Sequence, residues 1–144
     1  HRHFHGNPRN LPVIGTDLPP YADGIGIAID HDEDGQPVLF MDFGERVMGR
    51  PGFLHGGAIS GLMEMAAIAA LRAELDRRGE AMKLKPVNVQ VEFMRGGTEQ
   101  RTYASGTVTR AGRRVALVNA EAWQEDRRKP VAVARAHFLL STPS

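Results

Sequence analysis

The stretch from Arg50 to Ala67 reads RPGFLHGGAISGLMEMAA. A proline-glycine turn leads into His-Gly-Gly, and then into small and apolar residues among which Glu64 carries the only charge. This run ends in basic residues followed by Gly79, a pattern that predicts one helix over about 57–78. Because a buried carboxylate is costly unless it has a partner, a glutamate inside such an apolar helix indicates a functional role.

The start of the same helix offers a second chemical group. Backbone N–H groups in a first helical turn have no intrahelical acceptors, and the helix dipole favours negative charge there. Gly56 and Gly57 stand at this start without side chains, so a ligand oxygen can approach their N–H groups closely. An oxyanion site and a carboxylate on one helix are the components that hydrolysis of an acyl group requires.

The spacing of these two groups points to a pair of chains. Glu64 lies eight residues beyond Gly56, which is roughly 12 Å along a helix that rises about 1.5 Å per residue. A carboxylate that attacks a carbonyl must lie within about 3–3.5 Å of its target, so one helix cannot bring both groups to one carbonyl. Two antiparallel copies related by a two-fold axis would place Gly56 of one chain against Glu64 of the other. We therefore expect an active site at a homodimer interface.

Composition is typical of one ordinary folded domain. The 144 residues are 42% hydrophobic and 24% charged, which permits a hydrophobic core and argues against disorder. A net charge of +1 gives no reason to expect nucleic-acid binding, and the absence of cysteine excludes disulfides and thiol catalysis. The longest apolar run, residues 56–71, is too short to span a bilayer, and no signal-peptide pattern opens the chain. The sequence therefore predicts a cytoplasmic protein without membrane association.

The chain divides into a proline-rich N-terminal arm, residues 1–20, and one domain, residues 21–144. Histidines alternate at His1, His3 and His5, but a mobile or tag-derived terminus explains them better than a metal site does. Alternating apolar residues bounded by turn residues predict strands over 24–29, 37–43, 85–94, 101–110, 114–124 and 130–141.

Small residues share one face of each of the last two strands and recur along the helix. They are Ala116, Val118, Ala120 and Ala122, then Ala132, Ala134 and Ala136, and in the helix Ala66, Ala67, Ala69 and Ala70. Because small side chains on both sides let a helix lie unusually close to a sheet, we predict an α+β fold in which a curved, mostly antiparallel sheet wraps around one long central helix. The opposite strand faces carry Leu117, Trp123 and Val133, which indicate contact with a second protein surface.

The segment HGGAISGLMEMA resembles the signature of the hotdog-fold acyl-CoA thioesterases, in the phenylacetate-degradation (PaaI-like) and hydroxybenzoyl-CoA thioesterase branch. The resemblance extends to KPVNVQVEFMRGG, GTVTRAGRRVALVNAEA and VAVARAHFLL, and covers roughly residues 21–140. An acidic residue nine positions after the histidine, on an apolar helix followed by a four-strand meander, makes it fairly specific. The resemblance implies homodimers, commonly paired into tetramers, with acyl-CoA at a subunit boundary and no metal or other cofactor.

The resemblance also implies roles for single residues. The Gly56 N–H would bind the thioester carbonyl, with Gly57 leaving the helix start uncovered and His55 ordering the turn. Glu64 of the partner subunit would act as nucleophile or as general base for water. The family usually has Asn or Gln six residues before the histidine to hold the carbonyl or the water, and here Gly49 has no side chain to offer.

Basic residues in predicted turns are candidates to bind the phosphates of CoA. They are Arg95, Arg113, Arg114 and the run Arg127, Arg128 and Lys129. The competing interpretation is that hairpin charges are simply solvated.

Two other functions fit parts of the pattern. A hotdog dehydratase or hydratase needs a histidine and a carboxylate at the α and β carbons of an acyl thioester, but His55 is already committed to the turn. A non-catalytic acyl-CoA-binding module is the interpretation that Gly49 motivates.

The alternative interpretation of Glu64 is a surface residue of an amphipathic helix, although its helical neighbours Ser60 and Ile68 form no charged stripe. The sequence does not distinguish CoA from acyl carrier protein as the thiol carrier. The identity of the acyl group is also open, because it depends on which residues face the cleft, among Phe40, Phe43, Phe53, Leu54, Met63 and Met65.

Overall fold

The computed structural model of the protein describes residues 26–44 and 56–143. This part of the chain holds one helix and six strands. Their bounds in chain order are β1 (Ala28–His31), β2 (Pro37–Met41), α1 (Gly56–Arg77), β3 (Lys83–Phe93), β4 (Thr102–Ala111), β5 (Val115–Trp123) and β6 (Ala132–Ser141). The N-terminal arm lies outside the described residues, so its division from a domain over 21–144 stays a prediction.

Helix α1 is confirmed to within one residue at each end. Its interior is rich in alanine, leucine and methionine, which favour the helical state. Gly79 ends it in the left-handed conformation, with φ at 70°, and donates its N–H to the carbonyl of Asp76 at 3.0 Å. The N–H of Glu80 reaches back to the carbonyl of Leu75 at 2.9 Å, which completes a Schellman motif.

Strand β1 lies later in the chain than the predicted strand over 24–29. Gly26 has φ at 70°, which is a left-handed and not an extended conformation, so the strand cannot include it. At the other end, β1 continues to His31 because the turn begins only at Asp32. Asp32 accepts the backbone N–H of Gln36 at 2.9 Å and so closes the turn to β2.

All six strands form one antiparallel sheet in the order β1-β2-β4-β5-β6-β3. Strands β4, β5 and β6 form a meander, but β3 pairs with β6 at the sheet edge, from Lys83 opposite Ser141 to Phe93 opposite Ala132. The predicted four-strand meander is therefore wrong for β3, because β2 occupies the place beside β4. Apolar alternation marks a strand, but it does not specify which distant strand will be its neighbour.

The inner face of the sheet packs on α1 through small residues. The predicted alanines on both sides are buried, and none is more than 8% exposed. Gly106 of β4 marks the closest approach, because a Cβ there would lie 2.9 Å from the carbonyl oxygen of Ala66 and 3.1 Å from Cα of Ala67. The predicted α+β arrangement, a curved sheet around one central helix, is confirmed, and it is the hotdog fold.

The outer face of the sheet is partly exposed in a single chain, including Leu117, Trp123 and Val133. Its contact with a second protein surface stays a prediction. In the described part of the chain, no helix combines the length and the apolar character that crossing a membrane requires.

Candidate active site

Glu64 lies near the middle of α1 and is partly exposed in a single chain. The sequence predicted a buried carboxylate, and this prediction is wrong for one chain because the sheet covers the other side of the helix. There Leu62, Met63 and Ala66 are completely buried. Among the described residues, no ion pair involves Glu64, so its carboxylate is available for another group.

Glu64 belongs to a row of accessible positions on one side of α1. Gly57 is exposed, and Ser60, Glu64 and Ile68 are partly exposed, whereas the positions that face the sheet are buried. A spacing of three or four residues places these four residues on one side of a helix, and we call them the open stripe. Glu64 is the only charged residue of the open stripe, so the rest of it suits contact with another apolar or weakly polar surface.

Gly56 is the first residue of α1 and is exposed, as predicted. The N–H of a first helical residue has no carbonyl four residues earlier within the helix to accept it. No acidic side chain stands in the first turn, so the positive end of the helix dipole is not neutralised by α1 itself. The structure thus places an uncovered donor and a carboxylate on the same helix, as the sequence indicated.

His55 and Gly49 lie outside the described residues. The roles assigned to them, ordering of the turn by His55 and loss of an amide side chain at Gly49, stay predictions. In residues 26–44 and 56–143, no group of three or more His, Cys, Asp or Glu residues is placed to hold a metal ion.

Arg95 lies beside a hollow of about 320 Å³ at the same end of the sheet as the start of α1. Asp126 also lines this hollow, and hydrogen bonds from the side chain and the backbone N–H of Arg128 lower the pKa of its carboxyl. Asp126 is therefore anionic at neutral pH. Glu125 and Lys129 line the hollow as well, so two carboxylates balance its two basic side chains and no net positive charge is left to attract a phosphate.

Arg113 and Arg114 lie in the turn between β4 and β5 and line a larger hollow of about 1070 Å³. Arg110, which was not predicted from the sequence, lines the same hollow. A 3.0 Å hydrogen bond from the Gly112 N–H to the Val115 carbonyl closes the turn. Glu80 also lines this hollow, but three arginines outnumber its single carboxylate and leave the net positive charge that favours a phosphate group.

The structure separates these arginines into two groups within one chain. Arg113 and Arg114 lie near the end of α1, since Arg78 just beyond the helix donates to the carbonyl of Ala111 at 3.0 Å. Arg95 lies near the start of α1, because it is two residues after Phe93, whose ring lies beside Gly56. The 22 residues of α1 span roughly 33 Å, so a single phosphate cannot contact both groups.

Phe93 is a candidate that sequence reasoning missed. Its ring lies beside Gly56, because a Cβ built at Gly56 would be 3.5 Å from Cζ of Phe93. By contrast, three of the aromatic and methionine residues proposed from the sequence, Phe40, Met63 and Met65, are buried in the described structure. The sequence signal for Phe93 was weak, because a phenylalanine at the end of an apolar strand is usually a core residue.

A comparison with protein families gives one match, to a model described as the thioesterase superfamily, over residues 51–131. The chain belongs to the thioesterase superfamily. The matched range contains Gly56, Glu64, Phe93 and the arginine turn at 113–114, so the family assignment covers the candidate site. No curated protein matches the sequence.

Several solved structures resemble this thioesterase-superfamily chain over most of its length. A protein from Chromobacterium violaceum is 38% identical, with 87% of this chain and 85% of that chain covered and a TM-score of 0.68. A protein from Bacillus halodurans, solved with CoA, is 16% identical, with 86% and 80% covered and a TM-score of 0.72. A mutant thioesterase from Pseudomonas aeruginosa is 22% identical, with 84% and 85% covered and a TM-score of 0.71. At these low identities the last two matches show the shared fold.

Proposed function

We propose that this protein is an acyl-CoA thioesterase that hydrolyses an acyl- or aryl-CoA to the carboxylic acid and free CoA, in sites formed between two copies of the chain. Membership of the thioesterase superfamily supports thioester hydrolysis. The CoA in the crystal structure of the Bacillus halodurans protein, which shares the fold, supports CoA as the thiol carrier.

The observation that carries this proposal is the placement of Gly56 and Glu64 on one continuous helix. They stand roughly 12 Å apart along α1, so both cannot reach one carbonyl carbon and its oxygen from the same chain. A second helix lying antiparallel against the open stripe would bring its own Glu64 towards this Gly56, and the two-fold axis would create a second identical site.

Strand β3 supplies a surface on which a second copy can pair. It lies at the sheet edge with β6 as its only neighbour among the described strands. Val87, Val89 and Phe93 are exposed by 49%, 37% and 51% in a single chain. A long apolar edge strand with unpaired backbone groups is unfavourable in water, and pairing with another chain satisfies it. Pairing of β3 with β3 of a second copy would also bring the two α1 helices side by side.

Within such a site the chemistry follows from the two groups. The Gly56 N–H donates to the thioester oxygen and stabilises the negative charge that develops as the carbonyl becomes tetrahedral. The carboxylate of Glu64 from the partner subunit either takes a proton from the attacking water or attacks the carbonyl carbon itself, forming an anhydride that water then opens. In both routes the C–S bond breaks, the sulfur leaves as CoA with the proton that water gives up, and the acyl carbon ends as a carboxylic acid, whose new oxygen comes directly from water in the general-base route.

Arg113 and Arg114 are the better candidates for the CoA phosphates. The antiparallel arrangement places the end of one α1, and with it the arginine turn, on the same side as the start of the other α1. Glu64 lies thirteen residues before the helix end, roughly 20 Å away, a separation that the pantetheine arm of CoA would bridge. The carbonyl and the phosphates would then be held by both copies of the chain.

The test is the conversion of Glu64 to glutamine, which retains the shape of the side chain and removes its negative charge. We expect kcat for acyl-CoA hydrolysis to fall by at least about a hundredfold, because a general base or nucleophile typically contributes that much. Thiol release is followed with a chromogenic thiol reagent across aryl, short-chain and long-chain acyl-CoAs. Glu99→Gln, the same change at an exposed glutamate in the β3–β4 connection, serves as the control.

Unchanged turnover in Glu64→Gln would refute the assignment. If the unmodified protein binds acyl-CoA in calorimetry and releases no thiol, the proposal is wrong and a non-catalytic acyl-CoA-binding module replaces it. Hydration of an enoyl thioester, measured by loss of absorbance, would instead favour the hydratase.

A further inference from the structure

Phe93 brings an aromatic ring to the first residue of α1. A Cβ at Gly56 would lie 3.5 Å from Cζ and 3.8 Å from Cε1 of Phe93, so the outer rim of the ring borders the space beside Gly56 that a side chain would otherwise fill. The same residue is 51% exposed, the highest value among the exposed large hydrophobic residues of the described chain. An aromatic surface is therefore accessible next to the N–H that would bind the thioester oxygen.

The fold fixes the position of this ring. Phe93 is opposite Ala132 in the β3–β6 pair, and Ala132 is completely buried on the helix-facing side of the sheet. The side chain of Phe93 consequently projects into the helix layer, at the sheet edge where none of the strands in residues 26–44 and 56–143 lies beyond β3. Immediately after it, the N–H of Met94 donates to the carbonyl of Val131 at 2.8 Å, which anchors the end of β3.

We propose that Phe93 is a specificity-determining residue, whose exposed ring forms the wall on which the acyl group packs while its carbonyl oxygen accepts the Gly56 N–H. This inference rests on the proposed function and deepens it by assigning the acyl side of the site. A flat ring makes its most favourable contacts with another ring, in offset-stacked or edge-to-face arrangements. Phe93 thus favours acyl groups that carry an aromatic ring next to the carbonyl over saturated acyl groups of equal size.

The competing explanation is that Phe93 only contributes apolar area to a contact between two copies, as exposed Val87 and Val89 of the same strand would. The two explanations differ in a measurable way. A residue that acts only through the interface changes the oligomeric state or the rate for all substrates together. A wall of the acyl site changes the ratio between substrates and leaves the assembly intact.

The experiment compares benzoyl-CoA with cyclohexanecarbonyl-CoA, which have the same carbon skeleton with a flat and a puckered ring. Phe93→Leu retains apolar bulk and removes the ring, whereas Phe93→Tyr retains the ring. We expect the ratio of kcat/KM values, benzoyl over cyclohexanecarbonyl, to fall roughly three- to tenfold in Phe93→Leu and to stay at the original value in Phe93→Tyr. Leu139→Ala, at an exposed residue on the outer face of β6, is the control and should leave the ratio unchanged.

A second measurement does not depend on turnover. Ketone analogues of the two substrates, with a methylene between sulfur and carbonyl, cannot be hydrolysed, and their affinities are measured by calorimetry. The same three- to tenfold loss of ring preference is expected in Phe93→Leu. If the unmodified protein binds the ketones but releases thiol from none of the aryl, short-chain and long-chain acyl-CoAs, the proposed function is wrong while the affinity ratio still decides the role of Phe93.

Two results would overturn the inference about Phe93. One is a ratio in Phe93→Leu equal to that of the unmodified protein, by turnover and by binding. The other is a changed ratio that occurs only together with a changed molar mass in light scattering, since Phe93 then acts through the interface. Failure of both ketones to bind the unmodified protein would also overturn the inference about Phe93, whereas the proposed function would still be decided by the thiol-release screen across acyl-CoAs.

Discussion

Gly106 sets the distance between the helix that carries Glu64 and the sheet, and Gly106→Ala tests whether this distance matters. The added Cβ would lie 2.9 Å from the carbonyl oxygen of Ala66, 3.0 Å from Cβ of Ala70 and 3.1 Å from Cα of Ala67. Two of these three atoms belong to the helix backbone, and the third is attached to it directly. No rotation of a side chain can relieve the contacts, so α1 must move away from β4.

The expected loss of stability follows from two opposing terms. Overpacking of a well-packed core usually costs about 1–3 kcal/mol. Replacing glycine by alanine reduces the freedom of the unfolded chain, which returns about 0.4–1 kcal/mol where the backbone conformation is compatible. The net destabilisation therefore lies between about 0 and 2.6 kcal/mol, and its midpoint of about 1.3 kcal/mol lowers Tm by roughly 4 °C for a chain of this length.

The assay is thermal and urea unfolding followed by circular dichroism, with Gly44→Ala as the matched control. A Cβ at Gly44 meets nothing within 4 Å, and its φ is not in the left-handed region, so this variant should be as stable as the unmodified protein or slightly more stable. Equal or greater stability of Gly106→Ala relative to Gly44→Ala would refute the close packing of helix on sheet.

Two further predictions concern the CoA site and the dimer. Replacing Arg113 and Arg114 together by glutamine should raise KM for acyl-CoA roughly tenfold and leave hydrolysis of the acyl N-acetylcysteamine thioester, which lacks the nucleotide, unchanged. The control Arg95→Gln should alter neither substrate, and an effect of Arg95→Gln larger than that of the double variant would reverse the assignment. Val89→Lys places a charge on the apolar edge strand and should convert dimers to monomers in light scattering, with loss of turnover. Leu139→Lys, the same kind of change on the outer face of the sheet, should leave the dimer intact, and a persistent active dimer in Val89→Lys would contradict pairing through β3.

The helix and its packing were predictable because their signals are local. The alanines of α1, β5 and β6 repeat with the periods of a helix and of a strand, and a left-handed glycine marks the helix end. The placement of Gly56, Gly57 and Glu64 on α1 was predictable for the same reason, since their separation along one helix translates directly into a distance, while their roles in a site stay predictions.

The remaining features depend on contacts between distant parts of the chain. Strand β3 has the same apolar alternation whether it pairs with β4 or with β6, and only the position of β2 beside β4 decides between them. The position of the Phe93 ring beside Gly56 follows from that pairing, so it was not visible in the sequence. The partial exposure of Glu64 likewise reflects which side of α1 the sheet covers, and the apolar surroundings of Glu64 in the sequence indicated burial instead.

Mixing two inactive variants tests most directly whether two chains build each site jointly. Glu64→Ala removes the acid and leaves the donor. Gly56→Pro removes the N–H donor and leaves the acid, and proline is well tolerated at the first position of a helix. Each variant alone should be inactive and fully folded by circular dichroism.

After the two variants are unfolded together and refolded in equal amounts, about half of the dimers contain one chain of each kind. In such a mixed dimer, one site combines an intact Gly56 with an intact Glu64, and the other site lacks both. We expect the mixture to recover about a quarter of the thiol-releasing activity of the unmodified protein. No recovery, in a mixture whose mixed dimers are demonstrated by mass spectrometry, would show that each chain builds its site alone.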